Sequence, residues 1–241
     1  MGMSVVLSHK YTDGVLMRYK TRLALAGHAG NMKPGEHYDK TFAASPNANT
    51  SRLLQALCVY KKWFRYSFDI EQAYLHAELP PGKLIAVKYP DGFKRYNEDG
   101  EELFMLLKKN IYGHPAASRA WSKTRDAYLM KRFNSKDKDG TVWTCKRTRM
   151  DPCLFKFTCT RPNGEKEEAI SLVYTDDCDM IGSTKEITKD IFEIIKQKWG
   201  AKEVDADFVL GVKRVMTRHD NGEMEIEISM EAFINGMVEA F

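Results

Sequence analysis

Three aspartates could do chemistry in this chain: the adjacent pair Asp176 and Asp177 in the run AISLVYTDDCDMIG, and Asp69 far upstream in RYSFDIEQAYL. In both runs apolar and β-branched residues lead up to the acid, which reads as a half-buried strand carrying charge. Burying a carboxylate is costly unless something cationic meets it. Two like charges about 4 Å apart repel by roughly 4 kcal/mol at an effective dielectric of about 20. Either their pKa values rise or a divalent ion neutralises them. Oxygen-only ligands suit Mg²⁺, which takes one or two carboxylates and leaves positions for substrate phosphates. The chemistry would then be phosphoryl transfer assisted by two metal ions. The competing reading is structural: the pair caps a hairpin turn and Asp69 ends a strand.

The elements that must position these acids follow from periodicity. Residues 15–26 read as a strand, with Lys20 and Arg22 at i and i+2 on one face. Thr50 or Ser51 caps a helix through RLLQALCVYKKW with Leu53, Leu54, Leu57 and Cys58 on one face. The Asp69 strand is broken by Pro80-Pro81-Gly82, and short strands follow around LIAVKYP and LFMLLKK. A helix from about Ala116 to Phe133 carries Ala117, Trp121, Thr124 and Tyr128 on one face. Lys108, Lys109, Arg119, Lys123 and Arg125 form a basic cluster interleaved with Tyr112 and Trp121, which reads either as a solvated face or as a phosphate and ribose contact.

Further along, residues 153–158 and 169–175 are strands joined at Pro162-Asn163-Gly164. Ser183 and Glu186 have capping-box spacing, opening a helix with Ile187, Ile191, Ile194, Ile195 and Trp199 inward that stops at Gly200. A hairpin, FVLGVKRVMTRHDNGEMEIEIS, has an Asn221-Gly222 pair that favours a type I′ turn. Strands interleaved with a few helices argue for an α+β domain whose antiparallel sheet bears the acids.

Composition bounds the rest. A chain of 241 residues with 43% hydrophobic and 29% charged residues is an ordinary globular sequence, long enough to bury a substantial core. No apolar run approaches the roughly 20 residues that span a bilayer, so no membrane partner is expected. A net charge of +4 permits nucleic-acid binding without arguing for it. Five cysteines without a C-x-x-C or zinc spacing suggest free thiols in a reducing compartment.

Several stretches occur together in one order: YKTRLALAG, GEHYDKTF, RLLQAL, FDIEQAYLHAEL, YPDGF, LKKNIYG, RAW, VYTDDCDMIG and FVLGV. On these the chain resembles the reverse transcriptase domain of copia-type LTR retrotransposon polyproteins, over roughly residues 15–241. The resemblance implies a right-hand polymerase fold, with fingers about 11–65 and 82–118, palm about 66–81 and 119–229, and the start of a thumb at 230–241. The antiparallel palm sheet would be backed by helices and the thumb largely absent. The implied activity is RNA-directed DNA polymerisation on an RNA or DNA template with primer, using deoxynucleoside triphosphates. Two Mg²⁺ ions are the implied cofactor, with Mn²⁺ as a substitute.

By the same resemblance Asp69, Asp176 and Asp177 hold the ions, and the carbonyl of Ile70 adds a backbone ligand. Tyr74 falls at the sugar-gate position, where an aromatic ring would clash with a ribose 2′-hydroxyl; from the residues alone it reads equally as a core aromatic. Lys20 and Arg22 match a K-x-R that meets the triphosphate, the rival being a solvated strand face. Tyr112 and Gly113, with Lys108, Lys109, Arg119 and Lys123, would shape the floor under the template and nascent base pair. Gly211 in FVLGV resembles the primer grip, and Lys202 lies where related enzymes carry a general acid for pyrophosphate.

The chain also departs from the pattern. The family reads Y-G-L-K-Q-A-P-R-A-W where this chain has YGHPAASRAW from Tyr112, so His114-Pro115-Ala116 replaces Leu-Lys-Gln and Ser118 replaces a proline. Thr175 replaces an apolar residue before the aspartates. The family carries integrase and ribonuclease H segments in one polyprotein, so a polyprotein fragment or a decayed reading frame is expected, located in the cytoplasm or in virus-like particles. Two rivals stand beside the polymerase: an inactive transposon remnant that folds and at most binds nucleic acid, and an unrelated Mg²⁺ phosphohydrolase.

Overall fold

The computed structural model describes residues 1–12, 15–27, 32–209 and 212–240. Along the chain run β1 (Met3–Thr12), β2 (Val15–Leu25), α1 (Ala48–Lys61), β3 (Phe64–Ile70), a 3₁₀ turn (Ala73–His76), β4 (Ala86–Lys88), β5 (Phe104–Leu106) and α2 (Ala117–Arg132). They continue with β6 (Val142–Arg147), β7 (Leu154–Thr160), β8 (Lys166–Tyr174), β9 (Asp177–Gly182) and α3 (Lys185–Trp199). The last are β10 (Ala201–Val204), β11 (Phe208–Val209), β12 (Val212–Arg218), β13 (Met224–Ser229) and α4 (Glu231–Ala240). The result is a mixed α and β chain with antiparallel sheets, as its alternating periodicities require.

Two compact units form, Met1–Ala43 with Gln72–Arg125 and Ala44–Glu71 with Asp126–Phe241. These limits differ from the expected finger and palm limits. Helix α1 belongs to the second unit because Leu54 and Cys58 pack with Cys153, Leu172 and Ile181, and residues 72–81 belong to the first.

In the first unit β1 and β2 form an antiparallel ribbon. Val5 faces Leu23 and Leu7 faces Thr21, whereas Lys20 faces Ser8 and Arg22 faces Val6. One face is therefore mainly apolar and the other carries the cations. A small core of Leu25, Met32, Ile85 and Val87 joins β2 to the β4–β5 pair.

The second unit is built on a six-stranded sheet of order β10-β3-β9-β8-β7-β6. On one face Phe192 of α3 packs against Tyr66 and Phe68 of β3. Helix α1 covers part of the opposite face through the Leu54 and Cys58 cluster. Helix α3 buries Ile187, Ile191, Ile195 and Trp199 as their spacing predicts, while Ile194 is only half-buried and Phe192 and Thr188 fill the face instead. A separate three-stranded sheet, β11-β12-β13, follows.

Local signals locate many of the elements, give no sign of β1, β6 or β10, and miss some of the residues that end the rest. Helix α1 is capped by Asn47, whose side chain accepts from the Asn49 N–H at 2.8 Å, three to four residues before the expected cap. Thr50 instead hydrogen-bonds Asp151. Leu53, expected on the inner face, is exposed, and Gln55 is buried in its place. The cap of α3 is Thr184, because Ser183 is engaged in accepting from the Glu168 N–H. The β12–β13 turn is also not type I′. Gly222 alone has positive φ (80°), and its N–H reaches the His219 carbonyl, which is a type I turn followed by a left-handed residue. Arg125, assigned by spacing to the basic cluster, is buried one turn after Trp121. All five cysteines are buried and free, and burial pushes the Cys58 thiol up to about 11 and Cys145 to about 12.

Candidate active site

The pairing of β3 with β9 brings two of the three aspartates together. The strands are antiparallel and in register with Asp69 opposite Asp177, which places paired Cα atoms about 4.5–5.5 Å apart. The Ile70 N–H donates to the Asp176 carbonyl at 2.9 Å, so Asp176 closes the same ladder. Asp177 also faces Tyr174 across β8, and Asp69 faces Lys202 across β10. Lys202, Asp69, Asp177 and Tyr174 therefore form one row across four strands, on one face of the sheet. The register follows from alternation. Phe68, Cys178, Tyr66 and Met180 point to the α3 face, and a slip of one residue would drive the carboxylates into that apolar layer.

The turn before Asp177 has two central residues, Thr175 and Asp176. Thr175 alone has positive φ (54°), the arrangement of a type II′ turn. A β-branched side chain in this region is strained by about 1–3 kcal/mol.

Electrostatics mark Asp177. Burial, then the Asp176 and Asp69 charges, push its carboxyl up to about 6. Two cations of the same face are engaged elsewhere: Lys202 pairs with Glu71, and Arg214 of β12 forks onto Asp179. Among the described residues no three His, Cys, Asp or Glu side chains close into a ligand cage. Mutual repulsion of carboxylates opposes such a cage until a counter-charge enters. The donor set itself, all hard oxygen with one carboxylate biased toward protonation, fits a divalent cation such as Mg²⁺. Such a cation would be held by Asp69, Asp176 and Asp177.

Sequence reasoning missed Asp179 and Arg214. Asp179 lies two residues after Asp177, so it shares the carboxylate face, and it is 4% exposed. An acid inside an apolar run signals a hidden cation. Which of the chain's 37 Lys and Arg residues supplies it is not legible, because β12 is distant in sequence. Glu71, the partner of Lys202, was missed for the same reason.

The first unit holds the remaining candidates. Lys20 and Arg22 are exposed on the shared face of β2. The Tyr74 hydroxyl lies 3.1 Å from the Ser118 hydroxyl, and its ring meets Tyr112 edge-on at 5.0 Å. Tyr112 accepts from the Leu25 N–H at 2.7 Å, and the chain then passes so close to β2 that a Cβ on Gly113 would lie 2.1 Å from the Leu25 carbonyl oxygen. Only glycine fits there, at φ 81°. Lys108 and Lys109 are exposed. Arg119 and Lys123 line a cavity of about 620 Å³ together with Lys40, Glu78 and Pro80, and Arg119 also donates to the Phe42 carbonyl at 3.0 Å. Gly211 lies outside the described residues.

His114, where the motif departs, is 4% exposed, and among the described residues the only hydrogen-bond contact of its imidazole is with the His37 backbone. Burial lowers its pKa, partly offset by the neighbouring His37 backbone.

A family model described as "Reverse transcriptase (RNA-dependent DNA polymerase)" matches residues 1–241. No curated protein and no solved structure matches the chain.

Proposed function

Because this chain belongs to the reverse transcriptase (RNA-dependent DNA polymerase) family, whose members generally depend on a divalent metal, we propose that it is the polymerase of a copia-type retrotransposon. It would extend a primer 3′-hydroxyl on an RNA or DNA template. The observation that carries this reading is the register that sets Asp69 opposite Asp177, with Asp176 closing the turn between strands. Asp69, Asp176 and Asp177 would hold two Mg²⁺ ions, with the Ile70 carbonyl as an added donor. When bound, such ions acidify the attacking hydroxyl and neutralise the triphosphate and leaving pyrophosphate.

The chain's own residues supply the rest. Lys20 and Arg22, projecting from one strand face, meet the triphosphate; the planar guanidinium suits phosphate geometry. The Tyr74 ring, braced by Tyr112 and Ser118, excludes a 2′-hydroxyl and selects deoxynucleotides. Tyr112 and Gly113 pack under the nascent pair, and Lys108, Lys109, Arg119 and Lys123 meet nucleic-acid phosphates. Lys202, held by Glu71 in the row of the carboxylates, donates a proton to pyrophosphate. Gly211 of the FVLGV motif, by the family resemblance, belongs to the primer grip. The fingers correspond to about 11–65 and 82–118, the palm to about 66–81 and 119–229 and the thumb to the segment from 230. Integrase and ribonuclease H segments would accompany it in the parent polyprotein. No helix among the described residues is long and apolar enough to cross a membrane.

The test is primer extension on poly-rA/oligo-dT with Mg²⁺. Incorporation that disappears in the Asp176→Asn, Asp177→Asn double variant is expected. Incorporation that survives it removes the assigned roles. The buried imidazole of His114, at a position where the chain departs from the family pattern, favours a second reading, a remnant that folds and binds nucleic acid without polymerising. Salt-dependent primer–template binding with no incorporation would select it.

A further inference from the structure

Directly behind the carboxylate row, on the same face of the sheet, lies a buried polar rung that the proposed chemistry does not use. Ser67 and Asp179 are each two residues from Asp69 and Asp177, and they face one another across β3 and β9. Asp179 accepts from Arg214 Nη1 at 2.5 Å and Nη2 at 3.2 Å, from Gln55 Nε2 at 3.0 Å and from Ser67 Oγ at 3.2 Å. The carboxylate is thereby saturated, with two partners on each oxygen. The side chains of Arg214 and Asp179 are only 3% and 5% exposed. Arg214 comes from β12, outside the six-stranded sheet, and its guanidinium also donates to the Ala206 carbonyl at 3.3 Å. Its own carbonyl accepts from Arg65 Nη1 at 3.1 Å, and the same nitrogen reaches Asp207 at 3.0 Å.

This arrangement is a poor way to gain stability. Arg214 Nε, Arg65 Nε and Nη2, and Gln55 Oε1 are buried without partners. A buried ion pair with unsatisfied neighbours is commonly matched or exceeded in stability by apolar side chains of similar volume. What the pair does supply is geometry. A bidentate guanidinium–carboxylate fork has one register and one orientation, whereas an apolar contact tolerates sliding. The fork fixes β12 against the strand that carries Asp177, one rung, or about 7 Å, behind the carboxylate row.

We propose that Arg214 and Asp179 are positioning residues. Their fork locks the β11–β13 sheet in register with the carboxylate strand, so that the primer terminus is presented in reacting geometry. This rests on the polymerase reading, in which the FVLGV motif belongs to the primer grip. A displacement of about 1 Å at a reacting centre can reduce a rate by about a hundredfold, so the fork acts on the chemical step more than on binding.

The test compares the unsubstituted protein with the Asp179→Leu, Arg214→Met double variant and with Arg214→Lys, which keeps the charge and loses the fork. Both variants are expected to melt cooperatively and to bind primer–template within about threefold of the unsubstituted protein. Amide hydrogen exchange should rise at least about tenfold in β12 and β13 while β3 and β9 keep their protection. Single-turnover incorporation at saturating nucleotide should fall about tenfold to a hundredfold. Variants that exchange and incorporate like the unsubstituted protein overturn the proposal. So does failure of both variants to fold, which would make the pair a requirement of the fold itself. If the unsubstituted protein incorporates nothing, the polymerase reading fails, and the exchange data alone then decide whether the fork sets the register of β12.

Discussion

The raised carboxyl of Asp177 leads to a prediction that runs against the usual effect of altering an acid at a candidate active site: Asp177→Asn should make the metal-free protein more stable. Burial, Asp176 and Asp69 move this carboxyl from 3.8 to about 6. Ionising it in the folded state costs about 3 kcal/mol more than in the unfolded chain, at about 1.36 kcal/mol per pKa unit. The side chain keeps partial solvent access, which reduces the figure to about 1.5 kcal/mol. The sign follows from linkage. A carboxyl whose folded pKa lies above its unfolded value contributes stability that is present below about pH 4 and is lost as pH rises through about 6. Asparagine does not ionise and escapes that loss. Thermal melts in EDTA should therefore show the variant ahead by about 3–6 °C at pH 7.5, for a chain of this size, and level with the unsubstituted protein at pH 4. Millimolar Mg²⁺ should raise the melting temperature of the unsubstituted protein and leave the variant nearly unmoved. An EDTA melt at pH 7.5 in which the variant is equal or less stable would refute the argument, as would the same gain at pH 4.

His114→Leu should stabilise by about 1 kcal/mol at pH 7.5, because a buried imidazole with a single contact to the His37 backbone is replaced by an apolar group. Its lowered folded pKa means that stability is present above about 6.5 and lost as pH falls, so the gain should widen at pH 5; parallel stability–pH curves would contradict this. Asn47→Ala should lower unfolding free energy by about 1 kcal/mol in urea titration, while Ser51→Ala, which removes no cap, should not lower it. Thr175→Gly should relieve the positive φ and raise stability by up to about 1 kcal/mol, and a loss there would show that the threonine is not strained. Tyr74→Ala should reduce discrimination against ribonucleotides by about tenfold or more in competitive incorporation assays, and unchanged discrimination would return Tyr74 to a packing role.

Much of this protein is local in origin and was legible without coordinates. The strand runs around Asp69 and Asp177, the α3 stripe of Ile187, Ile191, Ile195 and Trp199, and the ordered motifs that mark the family all reside in short stretches. Periodicity of side chains along a strand or helix is set by the backbone, so those readings needed no tertiary information. The ends of elements were less legible. Asn47, Thr50, Ser183 and Thr184 can all cap; Thr50 is drawn to Asp151 and Ser183 to Glu168, while Thr184 accepts from the Ile187 N–H even as its hydroxyl donates to Glu167.

Only the tertiary structure decided which charges meet. It set Asp69 opposite Asp177, placed Lys202 in the same row with Glu71 as its partner, and brought Arg214 onto Asp179 from a strand 35 residues away. It also put Arg125 and His114 inside rather than at the surface. The physical reason is that an electrostatic or hydrogen-bond partner is chosen by strand register and burial. Both arise from packing summed over the whole sheet, and no local pattern of residues encodes them.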